Sequence, residues 1–330
     1  MKRSTSVVLA ALVTILLASP AIPQAGSEAI EHSEMCDASA AVAVGREMFV
    51  VANDEDNVLR VYRNDKPGKP VHTFDLTSFL KPDPDHPEAD IEGATQVGDR
   101  AYWVTSHGTN KNGRPRPSRH RLFATDVKVT DDQVTITPIG TPYKNLVKDL
   151  TSAPQLKDFK LGDAAEKPPE EKGGLNIEGL CATPKGALLI AFRNPVPKEK
   201  ALIVPLENPQ EVIDGKAAKL GAPILLPLDG LGIRSIEYFE AKAKYLIVAG
   251  PHGDEGDFKL YQWSGPSSEK PEQLKGINFN GLHPEALVVY PGEKTKVRIL
   301  SDDGSKQVDG IDCKEAKPEK RSFRSSWVAP

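Results

Sequence analysis

Acidic residues recur at the starts of apolar runs in this chain: Asp37 in Cys36-Asp37-Ala38-Ser39, Glu92 in Asp90-Ile91-Glu92-Gly93, Glu178 in Asn176-Ile177-Glu178-Gly179, Glu237 in Ser235-Ile236-Glu237-Tyr238 and Glu285 in His283-Pro284-Glu285-Ala286. Carboxylates gathered around one point repel one another, and their pKa values rise unless cations, hydrogen bonds or a metal compensate. Calcium takes six to eight oxygen ligands in tolerant geometry. Asp37, Glu92, Glu178, Glu237 and Glu285 are therefore the expected ligands of a calcium ion, with Asn53 or Asn194 able to add a side-chain oxygen. The alternative is structural: each carboxylate accepts hydrogen bonds from backbone N–H groups of the neighbouring repeat and locks the repeats together.

A second set of polar residues follows the next apolar run of each repeat: Asn53-Asp54-Glu55-Asp56, Ser106-His107-Gly108, Arg193-Asn194, His252-Gly253-Asp254 and Asp302-Asp303. His107 and His252 occupy matching places, each before a glycine, and are the expected general bases. Arg193, Asn194 and Asp54 are the expected ligand contacts, and Arg119, His120 and Arg234 could meet an anion on the same face. Loop histidines that only pack in turns are the plain alternative.

The elements that must carry these residues are strands. Second runs at Met48–Ala52, Ala101–Thr105, Ala187–Phe192, Tyr245–Ala249 and Val297–Ser301 are rich in β-branched and aromatic residues. Third runs follow at Val58–Tyr62, Arg121–Ala124, Ala201–Val204 and Lys259–Trp263, with fourth runs at Val71–Leu76, Val134–Ile139, Ile224–Pro227 and Gln273–Phe279. Four antiparallel strands repeated along a chain match the blades of a β-propeller, in which neighbours bury one another's faces around a channel. The expected fold is all-β, one propeller of five or six four-stranded blades over residues 26–330, with a β-sandwich as the alternative. Blade number turns on whether the tail from Arg321 to Val328 completes a blade begun at the N-terminus. In an antiparallel hairpin the start of one strand lies beside the end of the next, so both polar sets fall on one face.

Between the second and third repeats, leucines at helical spacing over Tyr143–Leu161 predict a short helical insertion. Gly162–Gly174, rich in Pro, Glu and Lys without apolar periodicity, is expected to be a mobile surface loop.

Lys2 and Arg3 precede an apolar run from Val7 to Ala18 and small residues through Ala25, which reads as a signal peptide over residues 1–25 cut after Ala21 or Ala25. The run is shorter than the roughly 20 residues that span a bilayer. The mature chain is thus expected in the periplasm or medium, without a membrane span and as a monomer. Its formal charge of −4 over 330 residues, without a basic tract, argues against nucleic acid as a partner. Three cysteines are too few for a disulfide scaffold, yet Cys36 and Cys313 sit near the two chain ends. An oxidising compartment would permit a bridge if a closed fold joined those ends; three free thiols is the other reading.

No nucleophile elbow, Walker loop, zincin helix or dinucleotide fingerprint is present. The segments Cys36–Ala40, Asn53–Leu59, Asp90–Ala94 with Thr105–Gly108, Gly174–Leu180 and Arg193–Pro195 together resemble the bacterial family catalogued as domain of unknown function 3616. That likeness spans nearly all of the mature chain and implies the fold without an activity. The Glu-Gly openings at Glu92 and Glu178 are similar, more distantly, to those of phytase-type esterase propellers, and Glu237 and Glu285 depart from the pattern. This similarity implies calcium and hydrolysis of a phosphate ester or another ester. The expected function is therefore metal-assisted hydrolysis of an ester, phosphate ester or lactone; the alternative is a non-catalytic envelope scaffold that holds a small molecule or partner.

Overall fold

The computed structural model describes residues 28–130, 133–253, 256–265 and 270–330. The leader expected over residues 1–25 lies outside them, as does Asp254. Among the described residues no helix is long and apolar enough to cross a membrane.

Five four-stranded antiparallel sheets form a five-bladed β-propeller. Blade 1 runs through Ala38–Val44, Met48–Asn53, Val58–Arg63 and His72–Asp75, and blade 2 through Ile91–Val97, Arg100–Thr105, Leu122–Thr130 and Gln133–Tyr143. Blade 3 comprises Asn176–Ala182, Leu188–Asn194, Ala201–Leu206 and Ile224–Leu226; blade 4 comprises Gly232–Phe239, Lys244–Gly250, Lys259–Trp263 and Glu272–Gln273. Blade 5 takes Pro284–Val288, Val297–Ser301 and Ser322–Val328, and the N-terminal strand Ile30–Ser33 pairs on its outer edge. The tail therefore lies third in the last blade, the N-terminus closes the ring, and the six-blade option falls.

The second strands are buried along their whole length instead of alternating with solvent, because a blade has a neighbour on each face. In Met48–Asn53, Val50 and Ala52 pack toward Trp103 and Phe123 of blade 2, whereas Phe49 and Val51 pack toward Leu300 and Phe323 of blade 5. The same two-sided burial gives apolar layers between every adjacent pair of blades, in place of one central core.

The leucine pattern after blade 2 folds as helices Leu146–Ser152 and Leu161–Ala164 joined by a 3-10 segment Pro154–Phe159, with Leu146, Leu150, Leu156 and Leu161 buried against blades 2 and 3. The loop after it is not loose. Asn194 donates from Nδ2 to the carbonyls of Pro169 and Glu171 at 2.7 Å each, and Thr109 Oγ1 donates to that of Lys167 at 2.7 Å. Composition missed these pins because both partners lie outside the loop, on the two blades that flank it.

Ring closure is fastened twice. His32, fully buried on the N-terminal strand, meets Ser325 Oγ at 2.8 Å and stacks on Phe323 at 4.8 Å between ring centres. Beside it Cys36 and Cys313 form a disulfide, with Cα atoms 6.0 Å apart and a sequence separation of 277. A crosslink closing so long a loop restricts the unfolded chain strongly, and losing one typically costs about 2–4 kcal/mol. Cys36→Ser with Cys313→Ser is expected to lower the unfolding temperature by several degrees, as dithiothreitol should in the native protein. Equal melting curves would show that the N-terminal strand alone closes the ring.

Candidate functional site at one mouth of the channel

The innermost strand of every blade carries one extra residue relative to its partner: Ser39, Glu92, Glu178, Arg234 and Glu285 lie at the register shifts. Such a bulge bends the strand and re-aims a side chain. The residue after each bulge is small: Ala40, Gly93, Gly179, Ser235 and Ala286. Neighbouring inner strands approach so closely there that a Cβ on Gly93 would stand 2.8 Å from the Glu178 carbonyl oxygen, and one on Gly179 would stand 3.1 Å from Ile233 Cγ2. The Glu-Gly repeat is thus a bulge followed by a contact between blades. Ser39 and Ser235 reinforce it, Ser39 Oγ donating to the Ile91 carbonyl at 2.5 Å and Ser235 Oγ accepting from Leu287 N–H at 3.0 Å.

This register corrects the expected ring in two blades. The blade-4 equivalent of Glu178 is Arg234, and Glu237 sits three residues further down the strand, at the opposite mouth of the channel. In blade 1 the equivalent is Ser39, and Asp37 comes just before the strand, bridged to Asp302.

Arg234 changes what the ring does. It lies between two glutamates, 3.2 Å from Glu178 and 2.8 Å from Glu285, and Arg193 binds Glu178 from the other side at 3.0 Å. Burial opposes the Arg234 charge, but the Glu178 and Glu285 carboxylates raise its pKa and hold it cationic. Arg193 also donates to the carbonyls of Pro251 and Gly253, at 3.1 and 2.9 Å. Glu178 and Glu285 are therefore engaged in linking blades 3, 4 and 5, as is Arg193, while Asn194 is bound to the 169–173 loop; both Arg193 and Asn194 were expected to meet a ligand. In this half of the mouth the carboxylates join blades through arginine side chains, not through the backbone N–H groups that the structural alternative supposed.

The other half is different. Asp37, Asp54 and Glu55 bring carboxylate oxygens within 4.8 Å of one another, as do Asp54, Asp90 and Glu92, so Asp54 belongs to both triads. The hairpin that presents Asp54 spends its other polar groups on itself. Asn53 Oδ1 accepts from Glu55 N–H at 3.0 Å, Asp56 accepts from Val58 N–H and pairs with Arg60 at 2.7 Å, and Asn57 holds Pro87 and Ala89. Asp54 Oδ1 is left buried with no hydrogen-bond partner. Burial first, then the charges of Asp37 and Glu92, push its pKa well above the usual carboxylate range. Glu92 is raised likewise, by burial and then by Asp90 and Glu178.

Cations touch this cluster only at its rim. Arg119 pairs with Glu88 at 2.5 Å and Asp90 at 3.1 Å, and Lys314 pairs with Glu55 at 3.0 Å. Gly304 makes room for Asp37, since a Cβ there would stand 1.7 Å from Asp37 Oδ1. Burial and the nearby Asp302 raise Asp37 to about 7, and burial with the nearby Asp90 raises Glu88 to about 7. Oxygen donors at this density, with one unpaired and buried, suit a hard divalent cation. Asp90, Glu55 and Glu88 were not among the expected ligands; only correct phasing of the bulge would have pointed to them.

The histidines do not meet here. His107 is fully buried, its Nδ1 is 2.7 Å from the Thr105 carbonyl, and burial lowers its pKa to about 3. A neutral imidazole sealed in the wall cannot take a proton from solvent-borne substrate. His252 packs its Nδ1 against the Glu170 carbonyl at 3.1 Å, by the Arg193 side of the mouth.

These pKa directions fix how metal-free protein responds to pH. Acids whose folded pKa is raised stay protonated in the fold while the unfolded chain ionises, so stability falls as pH climbs from about 4 through 7, the value to which Asp37 and Glu88 are raised, and falls further while Asp54 and Glu92 remain protonated. Melting in EDTA should drop by roughly 5 °C or more between pH 5 and pH 8, at about 2–4 °C per kcal/mol for a chain of this size. A flat or rising profile would mean that the cluster is already neutralised by other means.

A family model described as "Protein of unknown function (DUF3616)" matches residues 37–139 and 124–290. Comparison with curated proteins gives no significant match. Solved structures with a similar chain trace include Myxococcus xanthus glutaminyl cyclase, 12% identical with TM-score 0.47, covering 92% of this chain and 96% of that one. Another is a PQQ-bound aldose sugar dehydrogenase from Streptomyces coelicolor, 10% identical with TM-score 0.41, covering 93% of this chain and 100% of that one. Virginiamycin B lyase from Staphylococcus aureus is 10% identical with TM-score 0.38, covering 92% and 99%. Three different chemistries at such low identity bear on none of this chain's residues.

Proposed function

The chain belongs to the family described as a protein of unknown function, DUF3616, and from that premise we propose that it is an exported calcium-binding propeller acting as a metal-assisted hydrolase on an ester, phosphate ester or lactone. The observation that carries the metal is the buried, partnerless Asp54 Oδ1, held where two carboxylate triads overlap. Asp37, Asp54, Glu55, Asp90 and Glu92 would hold the ion, and water would fill the positions that carboxylates leave. Such a cation polarises an ester or phosphoryl oxygen without a dedicated nucleophile, and the chain has no nucleophile motif. Water would attack the acyl carbon or phosphorus and the bond to the alcohol oxygen would break; a mouth carboxylate would take the water proton and return it to that oxygen, because His107 is sealed and His252 lies on the arginine side. Export is supported by the Lys2-Arg3 leader and by the Cys36–Cys313 bridge, which needs an oxidising compartment.

A second reading has its own support: Glu178 and Glu285 are tied to Arg234, so much of the mouth serves to hold the ring together. The mouth would then bind an envelope ligand through calcium without transforming it. The deciding experiment is metal content of protein purified without chelator, followed by turnover of aryl esters, aryl phosphates and lactones with calcium or EDTA. Stoichiometric calcium with calcium-dependent turnover supports hydrolysis; calcium that stabilises without turnover supports the binding reading; and no bound calcium and no thermal shift removes the metal altogether.

A further inference from the structure

At the other end of the channel, where the inner strands of all five blades finish, lies an open cavity of about 970 Å³. Its size falls in the range of small-molecule sites, roughly 300–1,000 Å³. The wall mixes apolar and polar surface, and Val97 and Val129, two of the few large hydrophobic side chains exposed among the described residues, both line its apolar part. Glu237 reaches into this cavity from the blade-4 inner strand, and it makes no ion pair among the described residues. Tyr238 lines the cavity next to it. Charge on the lining is one-sided: Asp99, Glu240 and Glu293 accompany Glu237, with Lys294 as the one cation among the lining residues.

We propose that this cavity is a binding site for an organic cation, an amine carried on an apolar body, with the Glu237 carboxylate as its counter-ion. The apolar part of the wall takes the body, and the acidic lining draws the charge inward. The face of Tyr238 offers a further contact for an ammonium group. Burial raises the Glu237 pKa well above its ordinary range, and only the Tyr238 backbone N–H lowers it; Lys294 lines the same cavity but does not pair with this carboxylate among the described residues. A bound ammonium would supply a paired cation. A metal is the weaker occupant here, because one carboxylate falls short of the six to eight oxygens calcium takes and, among the described residues, Glu237 belongs to no group of three ligand side chains. The site stands apart from the carboxylate triads and does not rest on the function proposed for them.

The test is isothermal titration with phenylbutylamine, and with phenylbutanol and phenylbutyrate as neutral and anionic matches of the same body. The amine is expected to bind at least about tenfold more tightly than the alcohol, with no detectable binding of the carboxylate. Glu237→Gln should lose that preference while melting at or above the native temperature, because the amide keeps the volume and removes a buried acid. Absence of amine binding, equal affinity for the alcohol, or full amine affinity in a folded Glu237→Gln protein would each overturn the assignment.

Discussion

Replacing Asp54 by asparagine is expected to abolish calcium binding and, at the same time, to raise the melting temperature of the metal-free protein. The two effects have one cause. Asp54 is the acid shared by both triads, and its Oδ1 is buried without a partner. Without a cation this carboxyl must stay protonated or face Asp37, Glu92 and Asp302, whose charges all raise its pKa. An amide of the same shape removes the repulsion and keeps the Asn53–Asn57 hairpin, whose other bonds do not involve the Asp54 side chain. The gain in metal-free protein at pH 8 should be about 1–3 kcal/mol, the usual size of a buried polar group's unsatisfied cost. The loss with calcium is larger, because saturation at 100 times Kd alone stabilises by about 2.7 kcal/mol. Calorimetry with calcium and with EDTA separates these terms. A mutant that melts lower in EDTA and still responds to calcium would place the ion elsewhere.

Arg234→Met should be the most damaging single change at the mouth. It leaves Glu178 and Glu285, both buried, without the guanidinium that lies between them at 3.2 and 2.8 Å. Breaking one partner out of a buried ion network costs about 3–5 kcal/mol, whereas replacing the whole network with uncharged groups is often close to neutral. The triple change Arg234→Met, Glu178→Gln, Glu285→Gln is therefore expected to recover much of what the single change loses, as read by urea unfolding. Equal destabilisation of the single and triple variants would show that Arg234 matters through its packing on Phe258, 5.5 Å from the ring centre, and not through the carboxylates. In the triple variant Arg193 loses its carboxylate partner at position 178, which limits the recovery below full wild-type stability.

The repeat was legible because a propeller writes it into local chemistry. Each blade needs a run of apolar residues for its second strand, and Met48–Ala52, Tyr245–Ala249 and Val297–Ser301 all emerge as buried strands. The leucines of the insertion were equally plain, since a helical stripe must face something apolar, here blades 2 and 3. The Cys36–Cys313 bridge was half legible: proximity to the chain ends suggested it, but only ring closure made the two residues neighbours.

What the sequence by itself determined was the strand repeat, the polar character of one mouth and the membership of Asp37, Glu92 and Asp54 in it. The tertiary structure alone decided which acids cluster with one another and which share an arginine. That decision rests on a one-residue bulge in each inner strand. Strand side chains alternate faces with a period of two, and a bulge resets that phase. Counting back from the most conspicuous acid therefore placed Glu237 beside Glu178, while the bulge puts Arg234 there and sends Glu237 to the far mouth. Histidines misled for a related reason: His107 follows its strand as His252 does, but with a left-handed backbone at φ 57° its ring turns into the wall. Spacing along the chain records the order of elements; the direction of a side chain at a bulge or a turn depends on backbone angles that the packed ring imposes.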